Sequence, residues 1–120
     1  MDFYSANISQ AQIFVNGWKQ IYASSDNKII FYANGNTGLV KVVINKTINY
    51  SQSNIVLPEG TISSQYRPLH TVTYIFSDVE PIGQFEFENT GRLCYYGFYD
   101  DESQDPGYQL VSTVITYAYG

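Results

Sequence analysis

One short stretch of the sequence alternates strictly between aromatic and acidic side chains. In Gln84-Phe85-Glu86-Phe87-Glu88, an extended chain places both phenylalanines on one face and both glutamates on the other. Asn89-Thr90-Gly91 follows as a tight-turn signal, and Arg92 to Phe98 resumes an extended pattern. The stretch therefore predicts a β-hairpin with a buried and a solvated face, which requires a sheet that covers the aromatic side.

The rest of the chain also consists of short strand-like runs separated by turn residues. It contains 12 Tyr, 7 Phe and 1 Trp, and no helix-period stretch or internal repeat is present. Eight or so strands in one chain predict an all-β antiparallel β-sandwich, either jelly-roll-like or immunoglobulin-like. We expect residues 1–12 to be an arm or linker and residues 13–120 to form a single β-sandwich domain. Besides the hairpin, the runs are Ile13–Val15, Lys19–Tyr22, Lys28–Tyr32, Leu39–Ile44, Ile55–Leu57, Leu69–Phe76 and Tyr108–Tyr119.

Two of these runs carry apolar or Thr residues on both faces. Leu69–Phe76 is expected to be a central strand for this reason, and Tyr108–Tyr119 is the longer of the two. A two-layer domain of 120 residues has too little material to cover both faces of both strands. Outward apolar side chains are commonly covered by another copy of the chain, so we expect a homo-oligomer.

Charge and residue counts exclude several classes of function. The net charge is −5, and no basic stripe is present to contact phosphates, so no nucleic-acid partner is expected. The longest apolar run, Ile29–Ala33, is far too short for membrane insertion, and Met1–Tyr4 shows no cleavable signal. Cys94 and His70 are the single cysteine and histidine, which leaves no Cys-cluster zinc site and predicts no metal or cofactor.

The best candidate binding residues lie around an acidic loop. Asp100, Asp101 and Glu102 can accept hydrogen bonds from sugar hydroxyls, and Tyr99 and Tyr108 flank the loop with rings that can stack on a pyranose. Together with Asp105, the same carboxylates could instead hold Ca²⁺, although the spacing matches no EF-hand. The simplest alternative is a solvated loop without a ligand.

Three further candidate ligand-binding residues lie outside the acidic loop. Arg67 and His70 stand close together and can engage a phosphate or carboxylate on a polymer, whereas packing or an oligomer contact is the alternative for His70. Trp18 follows Gly17 and can serve as a sugar platform, although a lone Trp in a small β domain is more often part of the core.

Catalysis has little support in the sequence. Glu86 and Glu88 lie on one face of a strand with Cα atoms about 6.5 Å apart, a spacing at which paired carboxylates can hydrolyse glycosidic bonds. The alternation with phenylalanine instead favours a solvated hairpin face. Cys94, between Leu93 and Tyr95, is expected to be a small buried hydrophobe rather than a nucleophile.

Several short motifs along the chain form a combined pattern. They are Gly17-Trp18, Leu57-Pro58-Glu59-Gly60, Tyr66-Arg67-Pro68, Asn89-Thr90-Gly91 and Thr116-Tyr117-Ala118-Tyr119. This pattern resembles the C-terminal head domains of tail-tip receptor-binding proteins from phages and prophages of Gram-positive bacteria, over roughly residues 13–119. The resemblance implies a trimeric β-sandwich at the virion tail tip that recognises cell-wall saccharides and contacts other tail or baseplate proteins.

The sequence thus leads to one expected function and three rivals. The expectation is a non-enzymatic adhesion module of a phage or prophage tail that binds a host-surface glycan, since a tyrosine-rich, charge-poor chain suits stacking on sugars. The rivals are a purely structural virion or baseplate protein, a glycan hydrolase, and a carbohydrate-binding module separated from its enzyme.

Overall fold

The computed structural model describes residues 17–49, 52–76, 83–97 and 107–120. In these segments the chain forms eight β-strands and one turn of 3₁₀ helix, Ser64–Tyr66. The expected arm at 1–12 and the expected strand Ile13–Val15 lie outside the described residues. The strands are β1 (Lys19–Ala23), β2 (Ile29–Asn34), β3 (Thr37–Ile48), β4 (Asn54–Leu57), β5 (Val72–Phe76), β6 (Gly83–Phe87), β7 (Leu93–Gly97) and β8 (Gly107–Ala118).

The strands form two four-stranded antiparallel sheets that pack into a β-sandwich. The first sheet has the order β1-β2-β3-β8 and the second has the order β4-β7-β6-β5. The pairings are nested along the sequence. Strands β5 and β6, which pair with each other, lie between β4 and β7, and the paired strands β4 and β7 lie between β3 and β8. The predicted all-β antiparallel sandwich is therefore confirmed, and the nesting differs from the ABED and CFG sheets of an immunoglobulin domain.

The core between the sheets is built largely from aromatic rings. Phe85 and Phe87 of the predicted hairpin are fully buried, and Phe87 contacts both Phe31 of β2 and Tyr117 of β8, with ring centroids 5.6 Å and 4.9 Å away. The hairpin itself forms as expected, with β6 and β7 in antiparallel register from Gly83–Gly97 to Phe87–Leu93. Tilted and edge-on contacts of this kind stabilise a core beyond simple area burial.

A glycine opposite a tyrosine allows the first sheet to close over this core. Gly38 of β3 is in register with Tyr117 of β8, and a Cβ at Gly38 would lie 2.2 Å from Cζ of the Tyr117 ring. The ring therefore lies across the glycine, and its hydroxyl donates a hydrogen bond of 2.7 Å to the carbonyl oxygen of Tyr66. This contact fixes the end of β8 to the segment that leads into β5.

The expectation that Leu69–Phe76 is a central strand is wrong for the part of the chain that the structure describes. There β5 lies at the edge of the second sheet and begins only at Val72. The backbone N–H of Leu69 bonds to the carbonyl oxygen of Ala118 at 3.0 Å and so belongs to the first sheet's border, not to β5. Ile75 on β5 is 60% exposed.

The long final strand has the two apolar faces that its sequence indicates. Gln109, Ile115 and Tyr117 face the core and are buried. On the other face Leu110 is 69% exposed and Val114 is 46% exposed. The outer surface of the first sheet therefore carries apolar side chains at its β8 border.

Candidate functional site

A cleft of about 370 Å³ opens at one end of the sandwich, between the β1–β2 turn, β3 and β4. We call it the turn cleft. Its apolar wall includes Ile44, Val56 and Leu57. Its polar lining brings together a phenol, two hydroxyls, a carboxylate, an amide and two ammonium groups: Tyr22, Ser24, Ser25, Asp26, Asn45, Lys28 and Lys46. Such a mixture of an apolar wall and converging polar groups is typical of small-ligand sites.

The β1–β2 turn is held rigid by its own polar residues. The Ser24 hydroxyl donates to Oδ1 of Asp26 at 2.8 Å, and the Lys28 N–H donates to the same oxygen at 3.1 Å. The Ser24 hydroxyl also accepts from the N–H of Ile29 at 3.0 Å, and Asn27 adopts a positive φ of 59°. Ser, Asp and Asn are the residues that make such local bonds, so the sequence itself builds this side of the cleft.

The carboxyl group of Asp26 is charged at neutral pH. The backbone N–H of Lys28 and the Ser24 hydroxyl both donate to it and lower its pKa below the ordinary value of 3.8. One of its oxygens takes both of these bonds, and the side chain is exposed. A carboxylate held in this way can accept further hydrogen bonds from a ligand's hydroxyls.

Two lysines give the turn cleft a local positive charge despite the net charge of −5. Lys28 and Lys46 both line it, against the single carboxylate of Asp26. Lys46 is exposed near the end of β3 and forms no ion pair with any residue that the structure describes. The cleft can therefore supply both donors and acceptors to a polyhydroxylated ligand.

One predicted site residue lies at the rim of the turn cleft. Tyr108 is 62% exposed, and its hydroxyl donates a hydrogen bond to Oδ1 of Asn45, which lines the cleft. The hydrogen bond fixes the orientation of the ring while its face remains accessible. Tyr108 thus lies beside a polar residue of the cleft, with most of its side chain exposed.

Three other predicted residues lie at the opposite end of the first sheet. His70 follows Leu69, which bonds to Ala118, and Ala118 is ten residues from Tyr108 along β8. Ten residues of strand span about 33 Å at roughly 3.3 Å per residue. Arg67 lies in the same segment as His70, and half-buried Trp18 precedes β1 at this far end. The structure therefore does not bring these residues together with Tyr108.

Arg67 has a structural contact that the sequence did not predict. Its Nε donates a hydrogen bond of 3.1 Å to the carbonyl oxygen of Ile62, and its side chain packs beside Gly91 of the hairpin turn. His70 is exposed and precedes β5, since that strand starts at Val72. The remaining predicted residues, Tyr99, Asp100, Asp101 and Glu102, lie outside the described residues.

Most of the polar lining of the turn cleft was missed by reasoning from the sequence. Ser24 to Asn27 lies between the predicted strands Lys19–Tyr22 and Lys28–Tyr32 and has turn-forming residues, but a turn cluster alone does not indicate a binding site. Asn45 and Lys46 lie on a strand, and their position beside that turn follows from the β2–β3 register, in which Ile29 is opposite Val42. The one local feature that could have indicated charged groups here was Lys28, which directly follows Asp26 and Asn27 of the turn.

The candidate catalytic pair and the cysteine lie on the second sheet, away from this cleft. Glu88 forms an ion pair of 3.7 Å with Arg92 across the hairpin turn. Glu86 is half-buried and in register with Thr73 on one side and Cys94 on the other. Cys94 is 1% exposed, so the prediction that it is a buried hydrophobe is confirmed.

A second depression, of about 330 Å³, lies on the outer face of the first sheet. Ile30, Val43 and Val114 form much of its surface, with Lys41 and Ser112 beside them. It offers fewer converging polar groups than the turn cleft. Among the residues described here, no three His, Cys, Asp or Glu side chains are grouped to hold a metal ion, and no helix is long and apolar enough to cross a membrane.

Comparison of the chain with protein-family models, with curated proteins and with solved structures found no match.

Proposed function

We propose that this protein is a non-enzymatic recognition module that binds a saccharide of a bacterial cell surface. In this proposal it acts as a head domain of a phage or prophage tail, located at the virion's tail tip and attached to other tail or baseplate proteins. The single observation that supports saccharide binding best is the turn cleft, with the exposed ring of Tyr108 at its rim.

The chemistry of the turn cleft suits a neutral or acidic sugar. The Asp26 carboxylate accepts hydrogen bonds from hydroxyls, and the ammonium groups of Lys28 and Lys46 donate to ring and hydroxyl oxygens or to an acidic substituent. Tyr108 supplies an apolar ring face for the C–H side of a pyranose. One cleft of this size gives weak binding, which several copies on one particle strengthen through avidity.

Binding of purified cell-wall saccharide fragments, measured by calorimetry, tests the site. Lys46→Gln removes one charge from the turn cleft, and Asp26→Asn removes another while keeping an oxygen for Ser24 and Lys28. Each is expected to weaken binding about tenfold, because a hydrogen bond to a charged group contributes roughly 1.5–3 kcal/mol.

Lys19→Gln is the matched control. Lys19 is an exposed strand lysine of the same sheet, but it lies at the far end, opposite Ala33. It should leave the affinity unchanged. Equal weakening by Lys19→Gln and Lys46→Gln would assign the effect to overall charge and would reject the turn cleft. Release of reducing ends from the saccharide would reject a non-enzymatic role.

A structural role in a virion is the second candidate, and a different observation favours it. Leu110 and Val114 are exposed on the outer face of β8, where sister subunits can cover them. Failure of a broad glycan array to show any binding, together with a stable homo-oligomer, would favour this candidate over saccharide recognition.

A further inference from the structure

Strand β8 differs from the three other edge strands of the described sandwich. The strands β4 and β5 are four and five residues long, and β1 begins with Lys19. Both β1 and β4 also contain a register shift. Short length, lysines and bulges are the means by which natural proteins prevent edge-to-edge pairing.

None of these protective features is found in β8. It is 12 residues long, pairs with β3 without a register shift, and contains no charged residue and no proline. Within the described chain, no strand pairs with its other edge. Such an edge is a template for a further strand.

The backbone groups at this free edge can be identified. The carbonyl oxygen of Ala118 accepts from Leu69, on the side away from β3, whereas the N–H of Tyr119 donates toward β3, to Asn36. Alternate residues of a strand point their backbone groups to the same side. Even-numbered residues from Tyr108 to Thr116 therefore present their N–H and C=O groups at the free edge.

We propose that β8 pairs antiparallel with β8 of a second copy of this chain, about a two-fold axis at Ser112. In this register Ser112 lies opposite the partner's Ser112. Leu110 then lies opposite the partner's Val114, and Tyr108 opposite the partner's Thr116. Each of these is a hydrogen-bonded pair, in which two backbone hydrogen bonds form.

A second copy fits this edge because β8 is complementary to itself about Ser112. The two exposed aliphatic side chains, Leu110 and Val114, cover each other across the joint, and hydroxyl-bearing residues meet hydroxyl-bearing residues on either side of them. The pairing brings no like charges into contact along β8, because this strand has no charged side chain. The charged residues in register with β8 are two lysines of β3, Lys41 opposite Val114 and Lys46 opposite Gln109.

Pairing in this way joins two four-stranded sheets into a continuous eight-stranded sheet. The result has two-fold symmetry, unlike the trimer that the family resemblance implies. Each turn cleft opens between the β1–β2 turn, β3 and β4, whereas Tyr108 at its rim lies in the joint, so the pairing leaves the cleft itself open but places the partner's Thr116 beside the ring. That last consequence rests on the proposed function, whereas the pairing itself does not.

Disulfide trapping tests the register directly. Ser112→Cys places two thiols on residues whose Cα atoms are about 5.5 Å apart, within the range of roughly 4.4–6.8 Å that a disulfide spans. Oxidation should give a covalent dimer on a non-reducing gel. Val114→Cys is the matched control on the same face, because the partner's Val114 would be about 13 Å away, and it should remain uncrosslinked. The wild type, whose Cys94 is buried, should also remain uncrosslinked.

Light scattering of the wild type should give twice the chain mass of 13.6 kDa. Leu110→Lys should shift the protein to the monomer mass, whereas Ile75→Lys, at a similarly exposed position on β5, should leave the dimer intact. Circular dichroism confirms that both variants are folded. A wild-type monomer or trimer, or crosslinking that is equal at Val114 and Ser112, would overturn the inference. Saccharide binding by the monomeric Leu110→Lys variant would leave the proposed function standing.

Discussion

The hydroxyl of Tyr95 in β7 donates a hydrogen bond to Oε1 of Gln109 in β8, and both side chains are buried in the core. The bond joins the two sheets across the core. A buried amide without a partner costs more free energy than the bond itself contributes, so this pair ties the position of β8 to that of the hairpin.

Tyr95→Phe is expected to lower the free energy of unfolding by about 1–3 kcal/mol, because it removes a donor from the buried Gln109 oxygen. Urea denaturation followed by tryptophan fluorescence measures the change. Tyr96→Phe, on the outward, half-buried side of the same strand, is the control and should change stability by less than about 0.5 kcal/mol. Equal effects of the two variants would contradict a special role for the Tyr95–Gln109 bond.

Gly38→Ala is expected to destabilise the fold by about 1–3 kcal/mol, the usual effect of overpacking a core. The added Cβ would lie 2.2 Å from the Tyr117 ring, which its hydroxyl holds in place through Tyr66. The shift in thermal midpoint measures this effect. The neighbouring exposed substitution Thr37→Ala should leave the midpoint nearly unchanged. A Gly38→Ala protein as stable as the wild type would show that the ring can move away at little cost.

Burial of Tyr117 predicts a loss of stability in alkaline solution. Burial, and then the neighbouring Tyr119, raise the pKa of Tyr117 well above its ordinary value of 10.0, and burial also raises the pKa of Tyr32. In the unfolded chain these phenols ionise near pH 10, so the unfolded state gains stability as pH rises above that value. The urea midpoint should therefore be constant between pH 7 and pH 9 and fall above pH 10. Tyr117→Phe should reduce this fall, whereas Thr116→Ala should not.

The lowered pKa of Asp26 predicts that the stability of the fold decreases as the solution becomes more acidic. Because the pKa of Asp26 is lowered in the folded state, its contribution to stability is complete above pH 3.8 and is lost as pH falls through the folded pKa. Asp26→Ala should therefore destabilise the protein at pH 7 and have a smaller effect at pH 2, as measured by urea denaturation at both values. An effect of equal size at the two pH values would indicate that the charged form contributes nothing.

Features of the fold that depend on neighbouring residues could be predicted from the sequence. The β6–β7 hairpin follows from period-two alternation with a turn in its middle, and both Phe85 and Phe87 are buried as that alternation requires. The edge position of β5 could not be predicted in this way. It depends on which distant strands pair, and an apolar pattern on both faces does not distinguish a central strand from an edge strand.

The candidate site likewise combines features that follow from neighbouring residues with features that depend on the pairing of distant strands. The exposure of Tyr108 and the rigid Ser24–Lys28 turn reflect local patterns. The bond from Tyr108 to Asn45 joins residues 63 positions apart, and it exists because β3 and β8 pair in one register. A single sequence carries no signal for that register, so the combination of Asp26, Asn45 and Lys46 became visible only in three dimensions.

The nested strand order has a consequence for how the molecule is made. Thr37 near the start of β3 is partnered by Ala118, more than half of the chain further on. During synthesis β1, β2 and β3 therefore leave the ribosome long before β8 has been made. Until then, the apolar border of β3 has no β8 to pair with. The β6–β7 hairpin can form during that interval from local contacts alone, and the first sheet closes last.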